Sequence, residues 1–187
     1  MFTGDYMEMI ELILIAFIAV CLSLIWYVNI YNNYQNYIIR INEAEAFIDT
    51  TLRKRFDLLN KSIEIIKAVT KTKKDVLKEL TDLKSVKLSN FELDRKLYEF
   101  INELNGLKES NIELKNNENF LKIDLGIIES ESEIVAARKY YNDIITDYNK
   151  LVRTFPSNVV AKICGYKIKT YFDGKDMEDD DIQDFKL

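Results

Sequence analysis

The sequence predicts an all-α fold in which an N-terminal transmembrane helix is continuous with an antiparallel helical bundle. Three observations predict it. Glycine occurs 5 times and proline once in 187 residues, too few breakers for the many turns of a sheet protein. No charged side chain lies between Glu11 and Arg40, and Leu12 to Val28 (LILIAFIAVCLSLIWYV) is almost wholly apolar. Beyond that run, apolar residues recur at steps of three and four through two long stretches, the spacing of a buried helix face.

The transmembrane helix is placed at residues 12–31. At about 1.5 Å per residue these reach about 30 Å, the thickness of a bilayer's hydrocarbon layer. Trp26, Tyr27 and Tyr31 stand at its C-terminal edge, where amphipathic rings favour the headgroup layer. The preceding residues 1–11, MFTGDYMEMIE, carry Asp5, Glu8 and Glu11 and no Lys or Arg. No Ala-x-Ala site closes the run, and Val20 before Cys21 is too large for a lipidation box. The expectation is therefore a retained anchor rather than a cleaved signal or lipoprotein signal. Arg40, Arg53, Lys54 and Arg55 all follow the run, so the positive-inside bias puts residues 1–11 outside and the bundle in the cytoplasm. Ala16, Ala19 and Ser23 form a small-residue stripe on which two such spans could meet, which leaves a homo-oligomer open.

The bundle is expected over residues 32–172. Its first arm, about 32–71, carries Ile41, Ala44, Ile48, Leu52, Arg55, Leu59, Ser62, Ile66 and Val69 on one face. Two shorter patterns follow: Val76, Leu77, Leu80 and Leu83, then Leu93, Leu97, Phe100, Ile101, Leu104 and Leu107. They are read as one middle arm, 73–107, broken near 88. Ser89-Asn90-Phe91-Glu92 has the form of a capping box, in which serine and glutamate satisfy free amides at a helix start. Gly106 is expected to end that helix, with KESNIELKNN as a polar connection.

The last arm runs from about 117 to 155, stopping at Phe155-Pro156. Ile127, Glu131, Ile134, Arg138, Tyr141, Ile145, Tyr148, Val152 and Phe155 alternate steps of four and three along it, a coiled-coil-like seam. Three arms, each roughly 50 to 60 Å long, would lie side by side. That count puts the capping segment 157–172 at the end far from the bilayer, with Val159, Val160, Ile163, Tyr166 and Tyr171 over the open core. Residues 173–187 read as an acidic mobile tail, since acidic sequence poor in apolar residues does not pack. A calcium loop there lacks the required ligand spacing.

The chemistry available is narrow. There is no histidine, which removes the commonest general base and the commonest zinc ligand. Cys21 and Cys164 sit in no metal-ligand spacing and read as packing residues. A net charge of −5 without a lysine-rich aromatic block argues against nucleic acid as a partner. No catalytic, cofactor-binding or metal-binding residues are assigned, and no cofactor is expected. Arg55 and Arg138 occupy seam positions, and a buried charge must be paired. Partners are expected among Glu131, Glu45, Asp49, Asn142 and the tyrosine hydroxyls. The set Arg55, Glu131, Arg138, Tyr141, Asn142, Tyr148 and Asn149 is therefore read as a polar layer that sets helix register, or as contacts to an anionic ligand or a partner's carboxylate.

The chain also resembles the LemA family of bacterial membrane proteins. In the first arm the resemblance rests on Tyr31-Asn32, Arg40, Ala44, Ile48-Asp49, Leu52, Arg53-Lys54-Arg55 and Asp57-Leu58. In the last it rests on Asn117-Glu118-Asn119-Phe120, Glu129, Glu131, Ala136-Ala137-Arg138, Tyr141-Asn142, Tyr148-Asn149, Phe155-Pro156-Ser157-Asn158 and Tyr171-Phe172. The family usually has Tyr at Phe56, Pro at Asn60 and a Tyr-Pro pair near Asn111-Ile112, and the middle arm departs most. The resemblance implies a single N-terminal span in a bacterial inner membrane, an antiparallel bundle and no established catalytic activity.

The functional expectation is a membrane-anchored, non-catalytic interaction or scaffold protein, held through residues 12–31 and binding other proteins. Two alternatives stand beside it. One is a lipid-organising factor acting through Lys162, Lys167 and Lys169; the other is an enzyme subunit using Glu131, Arg138 and Tyr141.

Overall fold

The computed structural model describes residues 2–70, 80, 83 and 88–173. Among these every regular element is helical: α1 (Phe2–Thr70), α2 (Asn90–Ser110), α3 (Ile112–Lys115), α4 (Glu118–Arg153) and α5 (Ser157–Cys164). Val76 and Leu77 of the first middle pattern, and the acidic tail from Gly174 on, lie outside the described residues. The chain divides into two compact units, Met1–Arg40 with Ile144–Lys169 and Ile41–Asp143 with Thr170–Leu187, each considered over its described residues.

Local sequence accounts for where each helix starts and stops. No glycine or proline occurs between Asp5 and Thr70, and α1 runs unbroken through all of it. α2 opens on a complete capping box: Ser89 Oγ accepts from the Glu92 amide at 3.2 Å, and Glu92 accepts from the Ser89 amide at 2.9 Å. Gly106 does not end α2, which continues to Ser110 with Leu104 buried and Leu107 half-buried on its inner face. The stop comes at Asn111, whose backbone turns extended at φ −127° while its side-chain amide donates to Leu107 O at 2.8 Å. The connection that follows is one helical turn, α3, with Leu114 fully buried. Asn117 Oδ1 accepts from the Phe120 amide at 3.0 Å and caps α4, satisfying one of the free donors of a helix start. α5 ends at Gly165, whose φ of +72° favours a residue without a Cβ.

In the larger unit, α1 and α4 run antiparallel. Glu45 faces Tyr141, Lys54 faces Glu133, and Leu58 lies against Gly126, so rising numbers on one helix meet falling numbers on the other. α2 is antiparallel to α4 as well, with Asp94 on Arg138 and Lys108 on Asp124. Ile48, Leu52, Leu59 and Ile66 of α1, Leu97 and Leu104 of α2, and Phe120, Ile127 and Ile134 of α4 form its core. Leu80 lines a crevice with Leu59 and Ile66. Leu83 and Leu88 line another with Asp49 and Phe56. Leu80, Leu83 and Leu88 thus lie beside progressively earlier parts of α1, and α2, antiparallel to α4, runs in the same direction as α1.

The smaller unit is built on aromatic rings. Tyr34, fully buried, donates to Leu151 O at 2.7 Å and to Ser157 O at 3.2 Å, and meets the Tyr148 ring edge-on and the Tyr166 ring at 4.6 Å. Tyr27 Oη lies 3.3 Å from Cys164 Sγ. The segment after Pro156 therefore lies beside Tyr27 to Gln35, where the apolar run ends, and not at the opposite end as the three-arm count expects. The direction of α2 is the reason: it runs with α1 and not against it, so α4 runs back toward the apolar run.

Replacing Tyr34 by Phe removes the donor shared by Leu151 O and Ser157 O at a buried site, and should cost about 1–3 kcal/mol locally. Hydrogen exchange is expected to quicken at residues 157–164 while the α2 amides keep their protection. Unchanged exchange in α5 would show that the ring packing alone holds it.

Candidate functional site: a closed ion network around Arg55

Arg55 follows the buried Leu52 on the inner face of α1 and precedes Leu59 by one turn, so helix geometry directs it into the core. Its side chain is 0% exposed. A guanidinium cannot shed its charge, so the surrounding helices must supply acceptors. Nη1 donates to Asp94 Oδ1 of α2 at 2.9 Å, Nη2 to Glu131 Oε2 of α4 at 2.6 Å, and Nε to Ser130 Oγ at 3.3 Å. Ser130 Oγ in turn donates to Ile127 O at 2.6 Å. Arg138, one third exposed, donates to Asp94 Oδ2 at 3.0 Å and lies 4.0 Å from Glu131 Oε1.

Two guanidiniums and two carboxylates drawn from three helices therefore close on themselves with no net charge. Each carboxylate bridges both arginines, so no single helix can shift along another without breaking a charged contact. Burial pushes the Asp94 carboxyl up from its ordinary value, and the Arg138 and Arg55 charges pull against that.

An aromatic layer adjoins the network. The Arg138 guanidinium sits 5.8 Å from the centre of the Phe172 ring, a cation–π distance. Phe91 and Tyr141 both meet Phe172 edge-on, at 5.9 and 6.5 Å. The Phe172 amide donates to Asn142 Oδ1 at 2.9 Å, tying the strap that follows α5, residues 166–172, to α4. Tyr141 donates to Glu45 Oε1 at 3.2 Å, and burial first, then the Glu45 charge, holds its phenol up at about 12. An open cleft of about 310 Å³ lies here between Glu45, Phe91, Tyr141 and Phe172.

Five of the seven residues singled out from sequence thus meet in one place: Arg55, Glu131, Arg138, Tyr141 and Asn142. Tyr148 and Asn149 belong to the smaller unit instead. There the fully buried Asn149 side chain donates to Lys169 O and accepts from Lys169 N, both at 2.8 Å, which mimics a backbone pair and holds the strap in place. Of the partners expected for the two arginines, Glu131 is used; Glu45 accepts from Tyr141, Asn142 from the Phe172 amide, and Asp49 pairs with Arg53. Asp94, Ser130 and Phe172 were not singled out. A signal for Asp94 existed, since it stands three residues before Leu97 on the buried face of α2.

The LemA family model matches residues 44–183. The chain belongs to the LemA family. Among curated proteins there is no match. In this LemA-family member the matched stretch contains the whole Arg55 network, Tyr148 and Asn149, and begins after the apolar run at residues 12–31.

Arg55→Met would leave Asp94 buried with its geometry broken, and is expected to destabilise the detergent-solubilised chain by about 3–5 kcal/mol. Arg138→Met, at the solvent edge, should cost clearly less. Equal midpoints for both variants in chemical unfolding would contradict the ranking.

Tyr141 adds a pH dependence whose sign follows from its raised value. The unfolded phenol releases its proton near 10.0, while the folded one keeps it to about 12. Stability therefore falls as pH rises through that window, and Tyr141→Phe should make the fall shallower. An identical alkaline profile for the variant would place the titrating group elsewhere.

Proposed function

We propose that this LemA-family protein is a non-catalytic scaffold, anchored in a bilayer by residues 12–31, whose larger unit offers a helix face to another protein. The observation that carries the reading is an exposed apolar stripe on α4. Leu121, Leu125, Ile128 and Val135 follow the steps of a helix seam and remain exposed, although α1 and α2 already cover the opposite face of α4. Partner helices are recognised through anchors at this spacing, here interrupted once at the exposed Ser132.

The anchor rests on α1 itself. Its N-terminal part is the one described helix long and apolar enough to cross a membrane, and none of its most apolar window is buried by the rest of the chain. The excess of basic residues after the run supports a bundle on the cytoplasmic side of a bacterial inner membrane. The non-catalytic reading is supported by the state of the candidate groups: Glu131 and Arg138 are committed to the Arg55 network and Tyr141 to Glu45. An acid–base role needs a group free to exchange a proton with substrate.

Photo-crosslinking groups at Leu125 and Ile128 in the membrane-bound full chain test this reading. A discrete protein adduct is expected at both positions and not at the equally exposed Ile112. Adducts absent from α4, or confined to a probe within residues 12–31, would overturn the scaffold role.

A further inference from the structure

The charge of this acidic protein is unevenly spread: between Asp147 and Asp173 there are five cations, Lys150, Arg153, Lys162, Lys167 and Lys169, and no carboxylate. That stretch contains α5 and its return strap. The buried side of α5 consists of Ser157, Val160 and Ala161. Its other side carries apolar groups where water would favour polar ones: Phe155 is 81% exposed, Val159 42% and Ile163 68%, spaced four apart.

The position of α5 says what could cover that side. Ser157 O lies on Tyr34 and Cys164 Sγ on Tyr27, so α5 descends antiparallel to α1 across seven residues, about 10 Å. Gly165 then reverses the chain, and Tyr166 accepts from Gln35 Nε2 at 2.7 Å on the way back. The tip at Ile163 to Gly165 is therefore level with Tyr27, one helical turn inside the residue-31 edge of the apolar run. A soluble protein could cover this tip only by itself entering the lipid interface. A bilayer is already there if residues 12–31 span it.

We propose that α5 and the turn after it form a second membrane contact, a helical finger that seats Val159 and Ile163 in the headgroup layer with Lys162, Lys167 and Lys169 on the phosphates of anionic phospholipids. Apolar contact combined with lysines is the mixture that holds interfacial helices on anionic surfaces. Phe155, at the upper end, marks the outer rim. The contact would fix the tilt of the smaller unit against the membrane plane, which a single span leaves free. This inference rests on the reading of residues 12–31 as a bilayer span.

The test uses the full chain, with Cys21 and Cys164 replaced by Ala, in vesicles of phosphatidylcholine with phosphatidylglycerol. Single environment-sensitive labels are placed by Ile18→Cys, Ile163→Cys and Ile112→Cys. Quenching is read from shallow spin-labelled lipid and from neutral aqueous acrylamide. The expected result is lipid quenching at 18 and 163 but not at 112, with acrylamide access at 163 rising several-fold in Lys162→Gln/Lys167→Gln/Lys169→Gln. A label at 163 as open to acrylamide as that at 112, while 18 is lipid-quenched, overturns the finger and leaves the anchor intact. Protection at 163 without lipid quenching overturns it in favour of a covering protein. Protection that is the same in pure phosphatidylcholine and in the lysine variant overturns the phosphate contact. Acrylamide access at 18 removes the span, and with it both readings.

Discussion

A guanidinium that cannot lose its charge, placed in an apolar core, dictates how the larger unit is assembled. Arg55 is fully enclosed, and an enclosed cation without partners costs several kcal/mol. α2 must bring Asp94 and α4 must bring Glu131, in register, before the leucines and isoleucines around them can close. Apolar stripes at three-four spacing permit slippage by a turn at modest cost; two arginines bridged by two carboxylates do not. The cluster is also closed, each charge answered within it, so it holds position and leaves little for reaction. Tyr141, Phe172 and Asn142 extend the same principle outward, using a charge over a ring and a side-chain amide to bind the C-terminal strap to α4.

The smaller unit solves a different problem with different means. It contains no ion network of this kind among its described residues; Tyr34, Tyr148 and Tyr166 pack ring on ring, and backbone carbonyls answer the Tyr34 hydroxyl. Rings with one polar tip suit the border of a bilayer, where one side of a residue is dry and the other wet. Asn149 does for the strap in this unit what Asn142 does in the other, and the Tyr-Asn repeat seven residues apart is the trace of that shared task. One helix, α4, thus carries two asparagine holds on a single return segment, at Lys169 and Phe172.

Much of this was legible in the residues. The single long first helix followed from the absence of Gly and Pro, the start of α2 from Ser89 and Glu92, and the pairing of seam arginines from the cost of an unpaired charge. Three things were not. The number of chain reversals was undercounted, because a break in an apolar pattern looks the same whether the helix resumes its course or doubles back. Only the contacts of Leu80, Leu83 and Leu88 with progressively earlier parts of α1 decide it. Asp94 was missed although it stands three residues before Leu97, because the adjacent Leu93 already continues the apolar pattern and a lone carboxylate does not name its partner. Gly106 misled for the converse reason: it tolerates a helix interior when nothing packs against it.

The central claim is that Arg55 and Asp94 are coupled rather than separately useful. A double-mutant cycle with Arg55→Met and Asp94→Leu, followed by chemical unfolding of the full chain in detergent, measures that coupling directly. Each single substitution takes one of two ion pairs from a buried charge, Asp94 keeping Arg138 and Arg55 keeping Glu131, whereas the pair of substitutions replaces both members of the contact with apolar groups. The account predicts a double variant markedly more stable than the sum of the singles, by more than about 1 kcal/mol. Strictly additive losses would mean that the two groups do not depend on each other, and that the bundle takes its register from apolar packing alone.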